Sequence, residues 1–176
     1  MKWANFLHIY QPAGQQPDIL AAVVTQSYRP ILEGLKTNSK ARLTLNINGV
    51  LLEMFDQNGY RDLIDIINYL LREGRLELTG SAKYHALLPF LSEKEMIRQI
   101  QENEATLKFY TRNHYQPNGF FPPEMAYDEK IAPIIEQLGY RWLIIDEIAC
   151  GGKTGQVDYS KTYKIKEANR FLTASF

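Results

Sequence analysis

Hydrophobic residues alternate with polar ones, or run without interruption, in five short segments that are typical of β-strands. In one of them Leu43, Leu45 and Ile47 alternate with polar residues. In another, residues 142–145 form the continuous apolar run of a strand that is buried on both faces. The predicted strands are residues 2–9, 41–48, 76–80, 119–123 and 141–146.

Apolar residues at helical spacing predict one helical stretch between consecutive strands, and two between the second and third strands. Pro30 is expected to break or kink the first of them. Ser92, with Glu95 three residues later, forms a capping box that starts the longest one. If Asp128 caps the last helix, Pro133 lies in its second turn, a local conflict that the pattern leaves unexplained. The helical stretches begin at residues 17, 50, 60, 92 and 128.

The alternation of strands and helices predicts an α/β fold, in which helical crossovers join parallel strands. Such units form either a barrel or an open, doubly wound sheet. Residues 170–176 resemble a strand that is cut off at its end, and five or six strands are too few to close a barrel. We therefore expect the chain to be part of a larger fold that is truncated at the C-terminus.

Composition narrows the class of protein. The 176 residues are 45% hydrophobic and 23% charged, as in a single globular domain. A formal net charge of +0 disfavours a general nucleic-acid binder, and the single cysteine, Cys150, excludes an intramolecular disulfide or a Cys-based structural zinc site. The sequence shows neither a membrane-spanning apolar stretch nor a signal-peptide pattern, so we expect a cytoplasmic protein without a membrane or nucleic-acid partner.

Polar residues collect where the predicted strands end. Ligands of parallel α/β folds bind beyond the carboxyl ends of the strands, so we expect these side chains to converge on one rim. The residues at these ends are His8, Tyr10, Gln11, Asn46, Asn48, Glu77, Tyr84, His85, Glu124, Asp146 and Glu147.

Glu124 is the strongest single candidate for a catalytic residue. It directly follows Pro122 and Pro123, which are expected to hold a partly desolvated carboxylate in a fixed position, as a nucleophile or an acid/base group requires. The structural alternative is a carboxylate at a helix entry, favoured by the dipole of the helix that begins near Asp128.

The histidines and tyrosines carry weaker signals. His8 and His85 are candidates for ligand contacts, and the alternative is buried histidines that bond to the backbone. Tyr10 and Tyr84 are candidates for stacking on a sugar face, and the alternative is a place in the core. The sequence lacks a Gly-rich phosphate loop, a Gly-x-Ser-x-Gly nucleophile elbow and a His-Glu-x-x-His zinc motif. We therefore expect no metal ion or other cofactor.

Three segments, in this order, resemble the conserved regions of glycoside hydrolase family 57, which comprises α-amylase-like and glucanotransferase-like retaining enzymes. Residues 7–12 (LHIYQP) resemble the first motif, His-x-His-Gln-Pro. Residues 76–89 (LELTGSAKYHALLP) resemble the second region, with its glutamate and its Tyr-His before Leu-Pro. Residues 119–124 (GFFPPE) resemble the third motif, Gly-x-Trp-x-Pro-Glu, whose glutamate is the nucleophile.

The resemblance implies an incomplete (β/α)7-type barrel of the glycoside hydrolase/deacetylase-like kind, with residues 1–176 as the N-terminal part of the catalytic domain. It implies α-glucans or related α-glycosides as substrates, no metal, and Glu124 as the nucleophile. It implies substrate-binding or site-supporting roles for His8, Gln11, Glu77 and His85, and by a looser match for Asp146. The residue pattern adds Tyr10 and Tyr84 as sugar-stacking candidates.

Two residues and one missing motif depart from the family pattern. Tyr10 stands at the second histidine, Phe121 stands at the usual tryptophan, and no segment matches the fourth motif, whose aspartate is the general acid. We expect the general acid to lie downstream of these residues, so that the chain is part of a longer retaining hydrolase or glucanotransferase. One alternative is a carbohydrate-binding protein without catalysis. The other alternative, which ranks last, is a metal-dependent deacetylase. Such an enzyme needs an Asp-Asp pair and a pair of histidines on a helix, and this sequence has neither. The oligomeric state stays open.

Overall fold

The computed structural model describes residues 4–166, 168 and 173–175. It contains all five predicted strands, each shorter than predicted, and two further strands, of which one lies in the segment predicted as a cut-off strand. Residues 2 and 3 of the first prediction, and residues 170–172 and 176 of the last, lie outside the described residues. The strands are β1 (Phe6–Ile9), β2 (Leu43–Ile47), β3 (Leu76–Leu78), β4 (Gly119–Phe120), β5 (Trp142–Ile144), β6 (Tyr163–Lys164) and β7 (Thr173–Ser175).

The predicted helical stretches are also present, with changes at their ends. A π-helical turn covers Val24–Tyr28, and 3₁₀ turns cover Leu88–Phe90 and Pro123–Met125. The short helix after β5 was not predicted. The α-helices are α1 (Pro17–Val23), α2 (Arg29–Thr37), α3 (Gly49–Gln57), α4 (Arg61–Arg72), α5 (Glu93–Tyr110), α6 (Ile131–Gln137) and α7 (Ile148–Gly151).

The expected break at Pro30 is wrong, because the helical path continues from α1 through the π-helical turn into α2. Pro30 is the second residue of α2. A proline has no N–H to donate, and its ring crowds the carbonyl four residues earlier in an α-helix. The wider π turn immediately before Pro30 accommodates both restrictions.

The predicted start of the last helix at Asp128 is also wrong, since α6 begins at Ile131. Asp128 forms the preceding turn, in which its carboxylate accepts a hydrogen bond from Lys130 N at 3.0 Å. The later start makes Pro133 the third residue of the helix, where an N–H has no intrahelical acceptor. The conflict at Pro133 is thereby resolved. At the start of α5, Ser92 Oγ accepts from Glu95 N at 3.3 Å, as the capping box predicts.

The strands form two sheets in the orders β1-β2-β3 and β4-β5-β7-β6, and a parallel bridge between Gly80 and Phe120 joins them. Every pair is parallel except β6 with β7. The predicted α/β fold with parallel strands and helical crossovers is confirmed. Strands β1 to β5 follow one another in chain order, as in a barrel, whereas a doubly wound sheet reverses its order near the first strand.

The hydrophobic core has two parts, which flank the bridge at Gly80. One contains buried side chains of β1 to β3 and of helices α2 to α4, including Phe55. The other surrounds β4 and β5 and includes Phe120 and Tyr140. Gly80 N donates to the Gly119 carbonyl at 2.8 Å, and the buried Tyr140 ring packs directly against Gly80.

We expect Gly80→Ala to destabilise the fold by about 1–3 kcal/mol, the usual cost of overpacking a core. An added Cβ would overlap the ring and hydroxyl of Tyr140. That hydroxyl cannot move freely, because it donates to Glu104 Oε1 at 2.7 Å. The measurement is the free energy of unfolding by chemical denaturation.

The matched control is Gly34→Ala in α2, at an exposed position where an added Cβ meets no atom within 4 Å. Since alanine favours a helix over glycine, this change is expected to stabilise the chain by about 0.4–1 kcal/mol. Equal effects of the two substitutions would contradict the close approach at Gly80.

Candidate active site

A row of hydrogen bonds across three neighbouring strand ends fixes the position of His8. His8 in β1 pairs in register with Asn46 in β2, and its Nδ1 lies 2.7 Å from Asn46 Oδ1. Asn46 is fully buried and donates through Nδ2 to Thr79 Oγ1 at 2.9 Å. Because Asn46 Nδ2 is the donor to Thr79, its Oδ1 accepts from the Nδ1–H of His8.

Glu124 lies in the turn that follows β4, with a φ of 57°, in the left-handed region that non-glycine residues seldom occupy. Two hydrogen bonds hold the turn in place. Ser81 Oγ donates to the Phe121 carbonyl at 2.8 Å, and Met125 N donates to the Pro122 carbonyl at 2.9 Å. The turn directs the Glu124 carboxylate towards the loop that follows β3.

The carboxylate of Glu124 bonds to His85, since its Oε1 lies 2.8 Å from His85 Nε2. The expectation of a partly desolvated carboxylate is wrong, because the Glu124 side chain is 70% exposed. The hydrogen bond, rather than burial, fixes its orientation. The alternative role at a helix entry is not supported either, because α6 begins only at Ile131.

His85 is the central ring of a three-ring stack that consists of Tyr10, His85 and His8. Its ring centroid lies 4.4 Å from that of Tyr10 and 4.8 Å from that of His8, and the rings are nearly parallel. The His85 side chain is 9% exposed, and its backbone also has a φ of 57°. Phe121 extends the cluster, with its centroid 5.2 Å from that of His8.

The surroundings of the stack change the pKa of two of its members. Loss of water lowers the pKa of His8 below 6.5, and the neighbouring His85 adds to this, while Asn46 and Glu124 act in the opposite direction. Burial raises the pKa of the Tyr10 hydroxyl. Both shifts favour the neutral form of the ring concerned.

A groove of about 390 Å³ opens beside the stack, and we call it the rim groove. One wall comes from the π-helical turn, where the Tyr28 hydroxyl donates to the Tyr10 carbonyl at 3.2 Å and accepts from Gln11 Nε2 at 3.1 Å. Gln11 therefore supports this wall. The lining residues are Leu7, His8, Ile9, Tyr10, Ser27, Tyr28, Ile31, His85 and Glu124.

The structure does not bring Glu77 to this rim, so the expected convergence is wrong for that residue. Glu77 lines a different groove, with Asn5 and Thr44, beside the first residues of the strands. Burial raises the pKa of Glu77, while a hydrogen bond from Asn118 opposes the change. Glu77 pairs in register with Thr44, two residues before Asn46, so it lies below the row that holds His8.

Tyr84 and Asp146 also lie outside the residues that line the rim groove. Tyr84 is 44% exposed, and the ammonium of Lys83 lies 5.4 Å from the centroid of its ring. Asp146 accepts from Ile148 N at 2.8 Å and so starts α7. The predicted residues that do come together are His8, Tyr10, Gln11, Asn46, His85 and Glu124.

Tyr28 and Ser81 support the site, although no sequence pattern singled them out. Tyr28 lies in a π-helical turn, a feature that hydrophobic periodicity does not distinguish from an ordinary helix. Ser81 reaches the Phe121 carbonyl only because Gly80 and Phe120 are paired. Asn46, by contrast, was among the predicted residues, because it is a polar residue near the end of a predicted strand.

Among the described residues, no group of three or more His, Cys, Asp or Glu side chains is arranged to hold a metal ion. In the same part of the chain, every helix is too short or too polar to cross a membrane.

Comparisons with known proteins connect this geometry to one family. The family model for Glycosyl hydrolase family 57 matches residues 8–174. The chain is 25% identical over 146 residues to an alpha-amylase of Pyrococcus horikoshii, and the alignment covers 81% of the chain and 22% of the amylase. It is 26% identical over 151 residues to a 4-alpha-glucanotransferase of Thermococcus kodakarensis, and this alignment covers 84% of the chain and 22% of the transferase.

The crystal structure of a 4-alpha-glucanotransferase from Thermococcus litoralis has the same fold. It superposes with a TM-score of 0.84 at 20% sequence identity, and the match covers 98% of this chain and 27% of the transferase. The chain thus spans 22% of the length of both curated relatives and 27% of that structure.

We expect the His8 ring to titrate with a midpoint below 6.5, because loss of water disfavours its charged form. The unfolded chain then binds this proton more readily than the folded one. The contribution of His8 to the free energy of unfolding therefore decreases as the pH falls from 6.5 to the folded pKa. An NMR titration of the ring protons measures the midpoint.

Phe121→Ala, which opens one side of the His8 ring to water, should move that midpoint back towards 6.5. His114→Gln, at an exposed position after α5, is the control and should leave it in place. A midpoint at or above 6.5 in the unmodified protein would show that burial does not control this histidine.

Proposed function

Because the chain belongs to Glycosyl hydrolase family 57, we propose that it is the N-terminal part of the catalytic barrel of a retaining α-glycoside hydrolase or glucanotransferase, with Glu124 as the nucleophile. The observation that carries this proposal is the placement of Glu124. Its exposed carboxylate lies at the rim groove, at the end of β4, and is oriented by the 2.8 Å bond to His85.

In the first step, a carboxylate oxygen of Glu124 forms a bond to the anomeric carbon of the sugar. The bond to the glycosidic oxygen breaks, and that oxygen keeps the electron pair and takes a proton from a general acid. In the second step, water or the hydroxyl of an acceptor sugar attacks the anomeric carbon from the other side and gives its proton to the conjugate base of the general acid. The bond to Glu124 breaks, and the carboxylate keeps the electron pair. Two inversions give net retention.

The general acid is the second group that this mechanism needs. Retaining enzymes place the two carboxyl groups about 5–5.5 Å apart. In the part of the chain that the structure describes, Glu124 is the one carboxylate that lines the rim groove. We therefore assign the acid to an aspartate in the downstream part of the barrel.

The relatives and the groove support an α-glucan as substrate. The matched proteins are named alpha-amylase and 4-alpha-glucanotransferase, and both names refer to α-linked glucans. The rim groove combines apolar side chains, such as Leu7 and Ile31, with the ring of Tyr10. Such surfaces suit the apolar faces of glucose rings, while nearby polar groups bond to its hydroxyls.

A carbohydrate-binding protein without catalysis is the second candidate. Tyr10 at the position of the second family histidine favours it, and so does the single carboxylate at the groove. Such a protein binds maltooligosaccharides with neither turnover nor covalent labelling of Glu124, so one set of measurements separates the two functions.

We expect Glu124→Gln in the full-length protein to lower the turnover of α-glucans by about 1,000-fold or more, since the amide is a poor nucleophile. In the unmodified protein, 5-fluoro-α-glucosyl fluoride should form a stable ester with Glu124. Mass spectrometry of the digested protein locates the ester.

The matched control is Glu129→Gln, another exposed glutamate in the same loop, which should retain full turnover. Labelling at a residue other than Glu124 would remove it as the nucleophile. Sugar binding without labelling or turnover would support the second candidate.

A further inference from the structure

The His85 ring has little free surface with which to bind a sugar, since its side chain is 9% exposed. One face is covered by Tyr10 and the other by His8. Its Nε2 bonds to Glu124, and its Nδ1 is buried. A hydrogen bond to substrate, the kind of contact expected for His85 from the family resemblance, therefore has no free ring nitrogen.

From these contacts we infer that His85 is a positioning residue, which presents one oxygen of Glu124 to the anomeric carbon while the rings of Tyr10 and His8 hold it in place. This inference rests on the proposed function, because it concerns the same carboxylate. It changes the role of His85 from a substrate contact to a support of the nucleophile, and it gives Tyr10 a supporting role in addition to its place at the groove.

The hydrogen-bonding pattern of the ring specifies which of its nitrogens carries the proton. Among the described residues, His85 Nδ1 has no hydrogen-bond partner. A proton on Nδ1 would be a buried donor without an acceptor, which is costly. The favoured tautomer therefore has its proton on Nε2 and donates it to Glu124 Oε1. Oε2 remains free to form the bond to the sugar.

Both neighbours of His85 in the stack are themselves anchored. His8 is bonded to the buried Asn46, and the Tyr10 backbone is bonded to the buried Tyr28. The reactive carboxylate is thus connected, through His85, to two buried parts of the core. This support is independent of the turn that holds the Glu124 backbone.

The backbone of His85 allows a direct test. Because its φ is 57°, His85→Gly removes the imidazole at a position that glycine occupies readily. The label is 5-fluoro-α-glucosyl fluoride with the full-length protein. When Glu124 bonds to its anomeric carbon, the C–F bond breaks and fluoride leaves with the electron pair. No general acid is needed, so the rate reports the attack alone.

We expect His85→Gly to lower the maximal rate of labelling by about 10- to 100-fold, as for the loss of a hydrogen bond to a charged group. The reagent concentration at half-maximal rate should stay unchanged. Added imidazole should restore most of the rate. Thiazole, a ring of the same shape without an N–H donor, should not restore it.

A second variant guards against a folding defect. Asn also tolerates the left-handed backbone, but its side chain is too short to replace the imidazole, so His85→Asn should show the same loss. Tyr10→Ala, which removes one of the two rings stacked on His85, should also label slowly. His114→Gln, far along the chain from the stack, serves as the control.

Three results would overturn the inference: an unchanged labelling rate in His85→Gly, a raised half-maximal concentration with an unchanged maximal rate, or equal rescue by thiazole and imidazole. The second of these is the behaviour of a substrate contact. In each case, normal labelling of Glu124 in the unmodified protein leaves the proposed function standing. Absence of that labelling removes the proposed function and the inference together.

Discussion

The close approach of the two sheets at Gly80 is the constraint on which the site depends. Because this residue has no side chain, Tyr140 packs against its backbone while its N–H and carbonyl pair with the strand that carries Phe120. The two segments that meet at this bridge run parallel, so both continue towards the same edge of the sheet. His85 follows five residues after Gly80, and Glu124 follows four residues after Phe120, so the two loops emerge next to each other.

The hydrogen-bonded pair of His85 and Glu124 combines two residues with left-handed backbones, a conformation that costs free energy for any side chain with a Cβ. Such strain persists only where surrounding contacts hold it. Here the contacts are the Ser81 hydroxyl bonded to the strand end and the rings on both faces of the imidazole. The result is an exposed carboxylate with a fixed direction, which combines access for a substrate with restricted motion.

Rigidity at the rim comes from the core rather than from the loops themselves. Asn46 is fully buried, and its side chain bonds to His8 on one side and to Thr79 on the other, so it links the interior of the sheet to His8. A buried amide with satisfied hydrogen bonds specifies one arrangement, because any shift would leave a polar atom unpaired. The imidazole of His8 then forms a fixed surface against which His85 stacks.

The sequence alone predicted the five strands, their parallel arrangement with helical crossovers and the polar residues near their carboxyl ends, because alternation, helical spacing and turn residues are local signals. It also selected Glu124 from the two prolines before it. The tertiary structure decided the start of α6, the continuous path through Pro30 and the separation of Glu77 from the rim. It also decided which side chains meet. Strand register and pleat determine whether residues from different strands touch. Glu77 stands two residues before Thr79, so it lies roughly 7 Å from Thr79 along the strand, towards the strand's first residues. Register is a property of paired strands, so no single segment of sequence contains it.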